Sequence, residues 1–354
     1  MYTKISSAIL FLYAILATAF FFAMGDAMLD GETSIQFFAD STTYEQAANE
    51  LKELTTLELI IYNPNYFGPV TVLNLMDGSR WGVLALNLIV FVLSINLIYK
   101  AVSLNRKLFV ILVVLNPMTL SSLLSINKEI FSVLTIALLI YGLGKRSLPA
   151  LLACVIASLF VRWQLSLFVI TFLGLISPLN PLRHRRFLTF MLAIVGVSIL
   201  YFLALPILSH TNEVAAVGAE NWEGTGLWGK LLEVQNAGMY FLIFIPKVLQ
   251  AIFGILVYIN KILDPPEFYN YVVVMLHSLT TLIILACAFF MKRLNIKNNI
   301  FYIATIYLLV FGLTPIYAPR YFYPVFLLLC ILVAEKSVLR NDAHSQKNFS
   351  GFLA

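Results

Sequence analysis

Apolar runs of helical length fill most of this chain, and short polar breaks separate them. Residues 5–24, 81–99, 130–143, 187–208, 271–291 and 301–316 read as membrane spans, because a crossing needs roughly 20 apolar residues. The run 108–115 is shorter. It meets Asn116-Pro117 and then a polar stretch holding Thr119, Ser121, Ser122, Ser125, Asn127, Lys128 and Glu129. The run 148–177 is about thirty residues long and is interrupted by Arg162-Trp163-Gln164. Residues 238–260 are apolar but contain Pro246-Lys247, and 324–334 closes the apolar part after a turn at 317–323. None of these runs alternates with the two-residue period of a membrane β-barrel.

Two longer polar segments stand apart. Residues 25–80 carry nine acids against only Lys52 and Arg80. Within them, 43–59 has helical character, 63–69 is rich in turn residues, and 70–76 leads back toward the membrane. The second segment is 209–236, which with 261–270 flanks the apolar stretch 238–260. The pattern predicts an all-α, polytopic integral membrane protein of about 9 to 11 transmembrane helices, including short or broken helix pairs. It forms one domain over 1–335, with 25–80 and 209–270 as extracytoplasmic loops that partly dip into the membrane. Residues 336–354 read as a disordered cytoplasmic tail. Met24 followed by Asp26 gives no small-x-small cleavage site, so 1–24 reads as an uncleaved signal anchor.

Composition agrees. Of 354 residues 60% are hydrophobic and only 12% charged, with mean hydropathy +0.89. A soluble domain carries about 25% charged residues. The formal charge of +5 is no nucleic-acid signal, because the basic residues lie in short loops between spans. Cys154, Cys287 and Cys330 all fall in apolar runs and read as packing residues. The four histidines form no metal-ligand spacing, and no glycine-rich phosphate loop is present, so no metal and no cofactor is expected.

Basic loops set orientation. Lys4, the loops at 100–107, 145–147, 183–186 and 292–297, and the tail together hold 15 of the 23 Lys and Arg, but only two acids, Glu335 and Asp342. That face is the cytoplasmic one, with both termini on it. Residues 148–177 must then begin and end in the cytoplasm, as a pair of short helices with Arg162 near the outer turn. Residues 209–270 must begin and end outside, so 238–260 dips in and returns. Broken helices at membrane depth are tolerated only where they line protein or a cavity.

Eight basic residues remain off the cytoplasmic face. Three of them, Lys128, Arg162 and Arg320, sit inside or at the turns of apolar runs, where a charge costs at least a few kcal/mol. Each has a plain structural reading: a Lys128–Glu129 interfacial pair, Arg162 capping a short helix, or Arg320 reaching toward headgroups. All three together point to an anion site. Glu129 neutralises one of them, and a phosphate or diphosphate suits the others, because arginine forks bind phosphate bidentately. Glycosyl transfer from a phosphate-linked donor also needs a base. Asp40 is the favoured acid, with Glu129 a rival inside the constellation and Glu220, Glu223, Asp264 and Glu267 rivals on outer loops. Asp40 or Ser41 also reads as a simple N-cap. Tyr44, Gln164, Trp222 and Tyr321 are candidate glycan contacts. Trp228, Tyr66 and Phe67 could stack on sugar rings or form part of an interfacial aromatic belt.

These elements resemble bacterial polytopic glycosyltransferases of the GT-C type, and most of all the Wzy-like repeat-unit polymerases of O-antigen and capsule assembly. The resemblance rests on four things: Asp40 with Tyr44 in an early outer loop, Asn116-Pro117 followed by Lys128-Glu129, Arg162 in a short-helix pair, and Arg320-Tyr321 with Pro324 near the C-terminus. The chain lacks the paired first-loop acids and the large soluble C-terminal domain of many monosaccharide-transferring relatives. The resemblance implies polymerisation of polyprenyl-diphosphate-linked oligosaccharides at the outer face of the bacterial inner membrane, with arginines on the diphosphate and no metal. It implies a lipid bilayer, a lipid-linked glycan, a chain-length regulator and other polysaccharide-assembly proteins as partners, and no nucleic acid. Three alternatives stand beside it. One is transfer of a single sugar from a polyprenyl phosphate. Another is a flippase or transporter of a lipid-linked glycan, although no internal repeat is visible. The third is a non-catalytic member of an envelope complex.

Overall fold

The structure is a computed structural model. It describes residues 2–24, 39–51, 58–59, 64–126, 128–221, 226–256, 268–315 and 318–336, with backbone alone for 2–4, 39–40, 42, 64, 206–221, 226 and 268–271. In chain order the helices are α1 (Tyr2–Met24), α2 (Ala39–Glu50), α3 (Pro64–Leu75), α4 (Arg80–Ala101), α5 (Arg106–Val114), α6 (Pro117–Leu124), α7 (Glu129–Lys145) and α8 (Leu148–Val161). They continue as α9 (Trp163–Ile176), α10 (Arg186–Asn221), α11 (Gly226–Asn236), α12 (Tyr240–Phe253), α13 (Phe268–Phe290), α14 (Asn299–Phe311), a 3₁₀ turn at Pro319–Phe322, and α15 (Tyr323–Ala334). Among the described residues the only β pairing is the isolated bridge between Leu104 and Glu335.

Four helical stretches are long and apolar enough to cross a bilayer: Ile5–Met24, Arg80–Ala101, Arg186–Leu205 and Val272–Phe290. The bent pair α5 and α6 makes a fifth, broken by 70°. Pro117 causes that break. It has no N–H to donate and drives Asn116 into extended backbone (ψ 121°). The Asn116 side chain then caps α6 by accepting from the Met118 N–H at 2.9 Å. Ser79, Asn105, Ser147 and Asn298 cap α4, α5, α8 and α14 in the same way. Helices α8 and α9 have 14 residues each, or about 21 Å. That is well short of the roughly 30 Å hydrocarbon core. Large apolar side chains cover the outer surfaces of α1, α10 and α13, among them Phe11, Leu16, Ile199, Leu203, Ile283 and Phe289. An all-helical bundle with a lipid-facing surface of this kind is a polytopic membrane protein.

At the centre lies α15, every residue of which from Tyr323 to Ala334 is buried. A helix apolar on all sides belongs inside a bundle, and α5, α7, α13 and α14 surround it. One end of the bundle is tied by Asn105 N–H to Ala334 O (2.8 Å), by Arg293 and Asn298 to the Glu335 carboxylate, and by Arg186 to the carbonyls of Ile296 and Lys297. Burial raises the Glu335 carboxyl pKa above its usual range, against the opposing pull of Asn298 and Arg293. The other end carries Glu45 paired with Arg80 through two hydrogen bonds (2.9 and 3.3 Å), and Ser41 Oγ accepting from the Ile126 N–H (3.1 Å).

Three features differ from the sequence pattern. Of residues 63–69, expected as a turn, 64–69 open the helix α3 instead, and residue 63 lies outside the described residues. Pro64 stands at its start, where a missing N–H costs nothing, and Pro69 sits inside it. Phe67, Val70 and Leu73 recur every three residues and bury against Tyr44, Ala47 and Ala48 of α2, which outweighs the lost bond at Pro69. Within 238–260, α12 is a single helix. The chain turns just before it, where Gly238 takes φ 78°, so α11 and α12 fold back on each other. Helix α10 runs on to Asn221, through part of the segment expected as an outer loop. The expected tail lies outside the described residues beyond 336.

Helix α3 passes so close to α8 that a Cβ on Gly68 would stand 1.6 Å from the Phe160 carbonyl oxygen. Gly68→Ala forces the two backbones apart. It should lower the thermal unfolding midpoint in detergent by the equivalent of about 1–3 kcal/mol. Gly174→Ala, with nothing within 4 Å of its Cβ position, should leave the midpoint unchanged or raise it.

Candidate functional site

Arg162 occupies the single residue between α8 and α9, in extended backbone (φ −171°, ψ 149°). Its N–H donates to Ser158 O, and its carbonyl accepts from the Leu165 and Ser166 N–H groups. Both helix ends are thus closed by one residue, as the interrupted run 148–177 led one to expect. The side chain turns inward and is buried. Its Nη2 donates to Glu129 Oε1 at 3.2 Å, and its Cζ lies 4.1 Å from the centroid of the Tyr321 ring. Glu129 is the first residue of α7 and is 1% exposed. A carboxylate is favoured there by the helix N-terminus.

The second guanidinium comes from far along the chain. Arg320 sits in the 3₁₀ turn, with Nε 4.0 Å from the same Glu129 Oε1 and Cζ 5.8 Å from the same Tyr321 ring. One carboxylate oxygen and one aromatic ring are therefore shared by two arginines. The Tyr307 hydroxyl fixes the turn by donating to Tyr321 O at 2.8 Å. Lys128, next to Glu129, is buried with Nζ 5.0 Å from the Tyr44 ring centroid, and Tyr66 meets Tyr44 edge-on at 5.7 Å. The structure thus brings together Lys128, Glu129, Arg162, Arg320, Tyr321 and Tyr44. Gln164 is the second residue of α9. Asp40 lies one helical turn before Tyr44 on α2, and its side chain is outside the described residues. Trp222, Glu223, Asp264 and Glu267 are outside them as well, and Glu220 is described by its backbone alone.

Two buried polar atoms in this cluster, Glu129 Oε2 and Arg162 Nε, have no hydrogen-bond partner among the described residues, and neither has Oε1 of Gln164, two residues along the chain from Arg162. Such atoms are uncommon in a folded interior and mark a place for a polar ligand or water. An acceptor, a donor and a second acceptor stand ready beside two guanidinium groups.

A further cation, absent from the expected site, holds this arrangement in place. Lys247 of α12 is fully buried, and its Nζ donates to Gln235 Oε1 and to Thr314 O. It faces no carboxylate among the described residues. Instead it lies over the Trp228 ring at 4.9 Å and joins a set of donors aimed at carbonyls between Leu309 and Pro315, at the end of α14 and just beyond it. Tyr240 Oη donates to Leu309 O (2.9 Å), Gln235 Nε2 to Leu313 O (2.8 Å) and Trp228 Nε1 to Pro315 O (3.0 Å). Trp228 is therefore a buried clamp on the segment before Arg320, not a sugar platform. Gly312 belongs to the same clamp, since a Cβ there would meet Tyr240 Oη at 2.3 Å. The signal in the sequence was Lys247 itself, a charge inside an apolar run.

No family model, no curated protein and no solved structure matches the chain.

Glu129→Ala leaves Arg162 buried without its carboxylate and should cost about 3–5 kcal/mol. Arg162→Ala should cost a similar amount. The double variant should cost less than the sum, which a denaturation cycle in detergent measures. Lys247→Met keeps the apolar stem but strands the Thr314 carbonyl and the Gln235 oxygen, for a loss of about 1–3 kcal/mol by the same assay.

Proposed function

We propose that the chain is a membrane glycosyltransferase that polymerises polyprenyl-diphosphate-linked oligosaccharide repeat units at the outer face of the bacterial inner membrane. One observation carries this reading: Arg162 and Arg320, about 160 positions apart in sequence, meet at a single buried carboxylate oxygen beside polar atoms without partners among the described residues. Two planar guanidinium groups on a shared anchor suit a diphosphate, whose oxygens accept paired N–H donors. Phosphate oxygens would take over from Glu129 as acceptors, and Arg162 Nε offers a further donor.

The reaction then runs as follows. The donor's diphosphate lies against Arg162 and Arg320, with Lys128 adding charge. A hydroxyl of the acceptor repeat unit attacks the anomeric carbon. The new bond joins that oxygen to the anomeric carbon, and the bond between the anomeric carbon and the diphosphate oxygen breaks. The departing lipid diphosphate takes the electron pair, and the cations stabilise its charge. A carboxylate takes the hydroxyl proton. Glu129 already orients both arginines, which leaves Asp40 as the base this reading prefers. Gln164, Tyr44 and Tyr321 contact the glycan around this centre. A chain-length regulator and other assembly proteins are its expected partners. Transfer of a single sugar from a polyprenyl phosphate would use the same cations on one phosphate instead of two.

A second reading, a flippase for a lipid-linked glycan, draws support from the breaks between α5 and α6 and between α8 and α9, because transporters build their sites at broken helices. Extension of a defined lipid-linked repeat unit by the purified protein separates the two. Arg162→Ala and Arg320→Ala should each slow extension about 10²- to 10³-fold, and Asp40→Asn by about 10²-fold or more. Protein that folds and never extends the substrate, yet moves it between leaflets of a vesicle, would make it a flippase.

A further inference from the structure

A cavity of about 230 Å³ opens between α3, α4, α7 and α8. Val72, Val83, Phe131, Leu134, Ala157 and Phe160 form most of its wall. Only two polar side chains line it, Lys128 and Asn87. Lys128 and Val161 of the lining are the chain neighbours of Glu129 and Arg162, so the cavity abuts the arginine cluster. Asn87 is fully buried, and its Nδ2 donates to Leu123 O (2.9 Å) and Ser125 O (3.0 Å). Those carbonyls only accept, which fixes the amide's orientation. Its Oδ1 has no partner among the described residues. The cavity therefore presents an ammonium, a lone acceptor and apolar walls.

We propose that this cavity takes the first two isoprene units of the polyprenyl diphosphate, with Lys128 at the junction between hydrocarbon and phosphate. This assignment rests on the functional reading above. Size supports it: a cavity of about 150 Å³ takes up the six carbons of benzene, so 230 Å³ holds roughly nine or ten carbons. Chemistry selects the kind of chain. A polyprenyl phosphate turns apolar at the first carbon after its phosphate. A glycerophospholipid places a glycerol and two esters there, and their carbonyls need donors. Asn87 has none left to give, since both its N–H bonds are already made, and Lys128, the other polar side chain of the lining, is assigned to the phosphate.

The test is binding of radiolabelled geranyl diphosphate, ten carbons long, to the purified full-length protein in detergent, with inorganic diphosphate as its head alone. Geranyl diphosphate should bind at least about tenfold tighter, because burying even two methylene groups is worth that much. Ala157→Phe and Val72→Phe fill the cavity from different helices. Each should weaken geranyl diphosphate at least about tenfold and leave inorganic diphosphate unchanged. The second ligand also shows that each variant still folds. Equal affinity for the two ligands in the parent protein, or no change in either variant, would overturn the assignment while leaving the diphosphate site standing. Competition by dioleoyl phosphatidate as strong as by unlabelled geranyl diphosphate would overturn it too, in favour of a bulk-lipid site. If both ligands bind but ignore Arg162→Ala, the functional reading falls, and the cavity's assignment to substrate with it.

Discussion

A guanidinium taken out of water needs an anion, and in this chain that requirement ties together three distant pieces of sequence. Arg162 stands at a break in an apolar run, with its side chain buried. Glu129 meets it at 3.2 Å from the N-terminus of α7, where the helix end itself favours a carboxylate. Arg320 reaches the same oxygen from the turn before the central helix. Removing Glu129 would leave two guanidinium groups without the carboxylate they share. The break between α8 and α9, the start of α7 and the approach to α15 are therefore fixed relative to one another by a single carboxyl group.

What keeps Arg320 there is a second use of the same physics. Helix α14 stops at Phe311, in the interior, and the buried carbonyls at its end and in the residues just beyond it need donors. Lys247, Gln235, Tyr240 and Trp228 supply them from α11 and α12. The clamp ties residues 309–315 to α11 and α12, and Tyr307 holds the Arg320–Tyr321 turn. A cationic side chain suits that position because the C-terminal end of a helix carries partial negative charge. Among the described residues the first arrangement leaves buried polar atoms unpartnered, and the second pairs its donors with carbonyls. That contrast separates a site from a scaffold.

Much of this could be read from the residues. A thirty-residue apolar run with arginine at its middle cannot stay one helix with that charge in hydrocarbon, and the structure breaks it at Arg162 itself. The cost of burying charge also singled out Lys128 and Arg320 and brought them to one place with Glu129. Other parts were hidden, each for a definite reason. Residues 63–69 look like a turn because proline and glycine crowd there, yet proline at a helix start is compatible with α geometry, and the apolar stripe Phe67, Val70 and Leu73 only makes sense once α2 is known to lie against it. Lys247 was visible as a misplaced charge, but its partners are backbone carbonyls, and sequence does not reveal where a helix will end inside a bundle. Trp228 looked like a surface for sugars because its hydrogen-bond acceptor, Pro315 O, lies 87 positions away.

The central claim is that the shared arginines hold the diphosphate of a lipid-linked donor. An experimental structure of the protein bound to an uncleavable polyprenyl-diphosphate glycan tests it most directly. The account predicts phosphate oxygens within about 3 Å of guanidinium nitrogens on both Arg162 and Arg320, with the glycan's anomeric carbon on the side of α2. Diphosphate bound elsewhere, with both arginines still resting on Glu129, would contradict it.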